Sequence, residues 1–176
     1  SFFSALSGQM QKAQNLEVNK LCLEGMKQAT KIACLFELST PREAFMTALK
    51  NATNLNNPQE ILAKHVEALR AMLDLGQTEG NYLRESWKDI LLCIPDVSKA
   101  RFVPPERTNT NDSRKSTASS RHRNRANTGS RGFSMEIALE SRSEEVIKSV
   151  DRIFSNTANL NGDAIVHFAK ALTEVS

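Results

Sequence analysis

The chain has 176 residues, with 40% hydrophobic and 24% charged side chains, the balance of one globular domain with a real core. Seven glycines and 6% aromatics argue against a sandwich of tightly turned strands, and no apolar run approaches the roughly 20 residues of a membrane-spanning helix. The net charge of +3 hides an uneven distribution, and three cysteines without a CxxC pair argue against a disulfide framework or a zinc site and for a reducing, cytosolic setting.

The opening residues, Ser1-Phe2-Phe3-Ser4, lack a charged n-region and read as part of a longer chain rather than as a signal peptide. Phe2, Phe3, Leu6 and Met10 share one side of a possible helix, opposite Ser4, Ser7 and Gln11. That pattern serves a capping helix in a stack or an amphipathic helix at a membrane surface, so these four are the membrane-contact candidates. A stripe at i, i+3, i+4, i+7 spacing follows from Val18, Leu21 and Cys22 through Gly25, Ala29 and Ile32 to Ala33 and Phe36. Further stripes run from Ala44 to Leu55, from Ile61 to Leu73 and from Leu83 to Ile94. Thr40-Pro41-Arg42-Glu43 carries a hydroxyl N-cap, a proline at the first helical position and a glutamate three residues on, and Asn57-Pro58-Gln59-Glu60 repeats that chemistry. The stretch from Gly76 to Asn81, which holds two glycines, should end the third of these helices.

Residues 95–140 differ in kind and read as a flexible loop rich in Ser, Thr, Asn and Arg. Between Lys99 and Arg131 nine basic residues face only Glu106 and Asp112, a local charge of +7 that leaves −4 on the rest. A solvated linker, a contact with anionic lipid and a nucleic-acid contact are the three readings; the last is weakest, because only Phe102 and Phe133 could stack on bases. Ser116 follows Arg114-Lys115 and is a candidate phosphorylation site, where phosphate would offset the positive charge. Helical stripes resume with Val146, Ile147, Val150, Ile153 and Phe154, opened by Ser141 with Glu144, and with Ile165, Phe168, Ala169 and Leu172, opened near Asn161.

The expected fold is all-α, about six helices in antiparallel hairpins stacked as an armadillo- or HEAT-like right-handed superhelix. Residues 1–94 form its core, 95–140 the basic loop, and 141–176 two further helices docked on that core. No catalytic constellation, cofactor motif or metal-ligand spacing is expected. His65 falls on an apolar stripe and reads as a core or groove histidine, and Trp87 as a packing anchor or a partner contact.

Several strings then carry a resemblance. Leu21-Cys22-Leu23-Glu24-Gly25, Ile32-Ala33-Cys34, Glu79-Gly80-Asn81-Tyr82-Leu83 and Ser86-Trp87-Lys88-Asp89-Ile90-Leu91 resemble the first homology region downstream of the exchange domain in large Golgi Arf guanine-nucleotide exchange factors, the Sec-seven/BIG family. Val150-Asp151-Arg152-Ile153-Phe154 and Asn161-Gly162-Asp163-Ala164-Ile165-Val166 are similar to its continuation, and the Ser/Arg stretch is fungal in style. One departure is that Cys93-Ile94 passes almost directly to Pro95-Asp96-Val97, where the family runs on into an amphipathic stretch. The resemblance implies a non-catalytic regulatory region that helps recruit the exchanger to the trans-Golgi network through GTP-bound, membrane-bound Arf, with positive feedback and relief of autoinhibition. Asn81, Tyr82, Trp87 and Lys88 are the partner-binding candidates. Direct binding to anionic membrane, a spacer role beside neighbouring domains, and a homodimer are the rival expectations.

Overall fold

The computed structural model describes residues 2–12, 15–56, 62–97 and 144–176. Among the described residues there is no strand, and seven α-helices account for most of the chain, one more than expected. They are α1 (Phe2–Lys12), α2 (Leu16–Leu35), α3 (Ser39–Ala52), α4 (Ala63–Thr78), α5 (Trp87–Val97), α6 (144–156) and α7 (Gly162–Val175). Short 3-10 turns, Arg84–Ser86 and Thr157–Asn159, precede α5 and follow α6.

Each helix end has a local cause. Asn15 caps α2, its Oδ1 accepting the Glu17 N–H at 2.8 Å. At the other end Glu37 turns left-handed (φ 53°), and the N–H groups of Glu37 and Leu38 donate to the carbonyls of Cys34 and Ala33. This is a Schellman closure with glutamate in the position usually given to glycine. It brings the chain into α3 two residues early, so Leu38 is the N-cap and no side chain caps the helix. The expected Thr40/Glu43 capping box is therefore not formed. Pro41 sits inside the first turn, where a missing N–H loses no intrahelical bond.

At the start of α4 the N–H of Leu62 donates to His65 Nδ1 at 3.1 Å; the expected Asn57-Pro58 start lies outside the described residues. α4 ends at Thr78, inside the stretch from Gly76 to Asn81 expected to close it. Gly76 also serves close packing: a Cβ there would lie 3.1 Å from Ile153 Cδ1 and 3.3 Å from Ile90 Cδ1. α5 continues past Ile94 to Val97. Pro95 falls in the last turn of α5, where it removes one backbone N–H. Asn161 caps α7 as expected, accepting the Ala164 N–H at 2.8 Å.

α2 packs on α1, α3 and α4; α3 packs on α4 and α5; α5 packs on α4 and α7. α6 lies along α4, with Ile153 over Gly76 and the Gln77 amide donating to the Ser149 carbonyl at 3.3 Å. Neighbours in sequence are thus neighbours in space, which is compatible with stacked antiparallel hairpins. The core holds Met26, Met46, Leu49, Leu69, Met72, Leu73, Ile90 and Trp87. Full burial of each such aliphatic side chain is worth about 1.5–3 kcal/mol.

Candidate partner-binding surfaces

The stretch from Gly80 to Lys88 joins the N-terminal helices to α7. Trp87 is 1% exposed, and its Nε1 donates to the Gly80 carbonyl at 3.0 Å. Its ring meets Phe168 of α7 edge-on, with centroids 4.9 Å apart. The structure therefore places Trp87 inside the domain, as a packing anchor. Asn81 is also committed: its Oδ1 accepts the Asn161 N–H at 2.8 Å, ahead of α7. Tyr82 remains exposed, and Lys88 is exposed with an ion pair to Glu174 at 2.9 Å. That lysine, by hydrogen bond and charge, holds the Glu174 carboxyl below its ordinary range.

Beneath this stretch lies a residue of the Thr40-Pro41-Arg42-Glu43 string to which sequence reasoning assigned no role of its own. Arg42 is 1% exposed; its Nη1 donates to the Tyr82 carbonyl at 3.2 Å and its Nη2 pairs with Glu85 at 3.5 Å, while Nε is buried without a partner. Nearby, Arg84 has a left-handed backbone (φ 48°) and reaches Asp163 at 2.7 Å and Glu37 at 3.5 Å. Asp163, then Glu37, push its guanidinium further toward the charged form. His167 of α7 faces Glu85 at 3.6 Å and Asp163 at 4.0 Å.

Three of the four membrane-contact candidates are occupied. Phe3, Leu6 and Met10 are half-buried against the core; Phe3 meets Phe45 edge-on at 5.3 Å, and Leu6 lies over Gly25. Only Phe2 is largely exposed, at 63%. The α1 stripe is thus spent on packing. Ser116 and the basic segment lie outside the described residues.

The apolar surface that does face outward was read from sequence as core. α2 buries Cys22, Leu23, Met26, Ala33 and Cys34, but Leu21, Ile32, Leu35 and Phe36 are 56–74% exposed. The helix is apolar on two adjoining faces, and periodicity alone does not say which one turns inward. A second exposed set, Ile147, Phe154, Ile165, Val166 and Leu172, lies on α6 and α7. Burial raises the Cys34 thiol to about 11, so it is a protonated core residue at neutral pH. Among the described residues no group of His, Cys, Asp and Glu could hold a metal ion, and no helix is long and apolar enough to cross a membrane.

Comparison with known proteins then identifies the lineage. The chain is 37% identical, over 98% of its length, to the ADP-ribosylation factor guanine nucleotide-exchange factor sec72 of Schizosaccharomyces pombe. It is 34% identical over its whole length to the exchange factor SEC7 of Saccharomyces cerevisiae, and 30% identical over 99% to the brefeldin A-inhibited guanine nucleotide-exchange protein 1 of Homo sapiens. The chain belongs to the family of large Arf guanine-nucleotide exchange factors. It spans only 10–11% of these exchange factors, so it corresponds to one region of them. No protein-family model matches it.

Proposed function

We propose that this region of the exchange factor is regulatory and non-catalytic, and that it helps bring the factor to trans-Golgi membranes by binding membrane-bound Arf in its GTP state. In this reading the region acts in the cytoplasm as a peripheral membrane component. The observation that carries the reading is alignment from end to end with exchange factors, in a domain that exposes apolar helix faces suited to a protein partner. Recruitment through the product of exchange concentrates the catalytic part near further substrate, which is positive feedback by effective concentration. It also supplies the binding energy that opens an autoinhibited state. Tyr82 and Lys88 are the sequence-derived candidates that stay on the surface, and they are the first positions to substitute.

The test is flotation of the chain with liposomes carrying Arf loaded with GTP or GDP. The GTP state should recover several-fold more chain, and Tyr82→Ala should lower that recovery without changing the circular dichroism. Equal recovery in both nucleotide states refutes the reading. Recovery on anionic liposomes without Arf would favour the direct-membrane alternative. The packing of Phe3, Leu6 and Met10 weighs against that alternative for α1. A concentration-dependent dimer with normal recruitment of a factor lacking this region would favour the spacer role.

A further inference from the structure

A cleft of about 790 Å³ is lined by α1, α2 and α3, with Lys64 and His65 of the first turn of α4 also on its wall. Its volume falls in the range of ligand-binding clefts, roughly 300–1,000 Å³. Phe3 and Met10 supply apolar ground on the α1 side, and Ala44, Ala48 and Ala52 do so on the α3 side. Ser7 also lines it, and the Ser7 hydroxyl is buried without a hydrogen-bond partner.

Three polar residues of α3 line the same cleft at i, i+4 spacing: Glu43, Thr47 and Asn51. Among the described residues none of these side chains makes a hydrogen bond or an ion pair. Four helical residues rise about 6 Å. Two residues of an extended chain rise about 6.6 Å. Successive rungs of the ladder therefore meet successive same-facing peptide groups of an extended strand with little drift. A carboxamide and a hydroxyl can each donate and accept, which is what a peptide unit needs. A helical ligand would hide its own peptide groups and leave these rungs unpaired.

Charge sets a direction. Glu43 stands toward the start of α3, while Lys64 and His65 lie in the first turn of α4, where the helix end adds partial positive charge. Neither Glu43 nor Lys64 has an ion-pair partner among the described residues. We infer that this cleft binds an extended peptide segment of a partner protein, its main chain on Thr47 and Asn51, an acidic residue toward Lys64 and a basic one toward Glu43. The cleft is separate from the surface carrying Tyr82, and the inference goes beyond Arf recognition.

The experiment pans a random linear heptapeptide phage library on the whole chain and measures a fluorescein-labelled winner by anisotropy. Enriched peptides should carry opposite charges at their two ends. Thr47→Val with Asn51→Leu removes two hydrogen bonds, each worth a factor of about five, so binding should weaken roughly 25-fold. Lys64→Glu should reverse the charge preference at low salt. Both variants alter partly exposed side chains, and unchanged thermal melts confirm that they fold. No enriched sequence, affinity within twofold for the T47V/N51L variant, or helix formation by the bound peptide would each overturn the inference. GTP-dependent flotation of T47V/N51L at the wild-type level, with peptide binding lost, separates this site from the Arf reading.

Discussion

Replacing Gly80 with alanine tests the junction between the 80s stretch and α7. Its φ is not in the left-handed region, so the effect comes from space rather than from backbone strain. The new Cβ would lie 2.8 Å from Leu160 Cδ2, 3.1 Å from the Gly76 carbonyl oxygen and 3.1 Å from the Trp87 ring. The leucine methyl can swing away. The carbonyl belongs to the α4 backbone, and the indole is pinned by its bond to the Gly80 carbonyl and by Phe168. Overpacking of this kind costs about 1–3 kcal/mol, and weakening the indole bond adds about 1 kcal/mol. A net loss near 2 kcal/mol lowers Tm by about 4–8 °C in a domain of this size. Gly76→Ala is the control. Its new Cβ meets its tightest contacts at the terminal methyls of Ile153 and Ile90, and alanine gains about 1 kcal/mol of helix propensity, so Tm should stay within about 3 °C. Calorimetry on both variants decides. If Gly80→Ala melts with the wild type while Gly76→Ala falls by 6 °C or more (about 2 kcal/mol), the packing account of this junction is wrong.

Arg42→Met keeps the buried stem and removes a charge with an unpaired Nε, so its urea midpoint should match or exceed that of the wild type; Arg42→Ala leaves a void and should lose about 2–4 kcal/mol. Equal damage from both would show that the Tyr82 and Glu85 contacts dominate. Cys34 has a raised thiol pKa, so its contribution to stability is complete below its ordinary value of 9.0 and is lost as pH rises through about 11; Cys34→Ser should flatten the decline of stability measured between those pH values. Glu174 is shifted the other way by Lys88, so its small contribution is present above its ordinary 4.5 and fades on acidification; amide exchange at the end of α7 should quicken there, and less so in Lys88→Gln.

Much of the helical plan was legible because it rests on local signals. Asn161 could be read as a cap from its neighbours, and the stripe through Phe45 and Leu49 has a single apolar face that turns inward. α2 was not fully legible, since Leu21 and Ile32 look the same in sequence as Cys22 and Met26, and only packing by α1, α3 and α4 decides between the faces. Arg42 was hidden for a related reason: an arginine in a Thr-Pro-Arg-Glu string reads as exposed, and its burial depends on a carbonyl 40 positions away. The end of α4 at Thr78 was legible from the glycines on either side, but the packing role of Gly76 was not, since a glycine admitted for close packing leaves the same mark as one admitted for a turn. The candidate surface was half legible: Tyr82 and Lys88 lie outside, while Asn81 and Trp87 are engaged in contacts with the segment around α7.

Asn81 with Asn161 and Arg84 with Asp163 join positions 80 and 79 residues apart, and the Trp87–Phe168 contact lies beside them. Two pieces of polypeptide are thus clasped by side chains as well as by the peptide between them. A protease cut between positions 97 and 144 would turn that clasp into a bimolecular complex, and the melting temperature would then depend on concentration. With the backbone intact, a flexible insertion in the same interval adds only about 0.6 kcal/mol of closure cost for each doubling of length. The clasp lets evolution lengthen or rewrite the connection while the helical body keeps its shape.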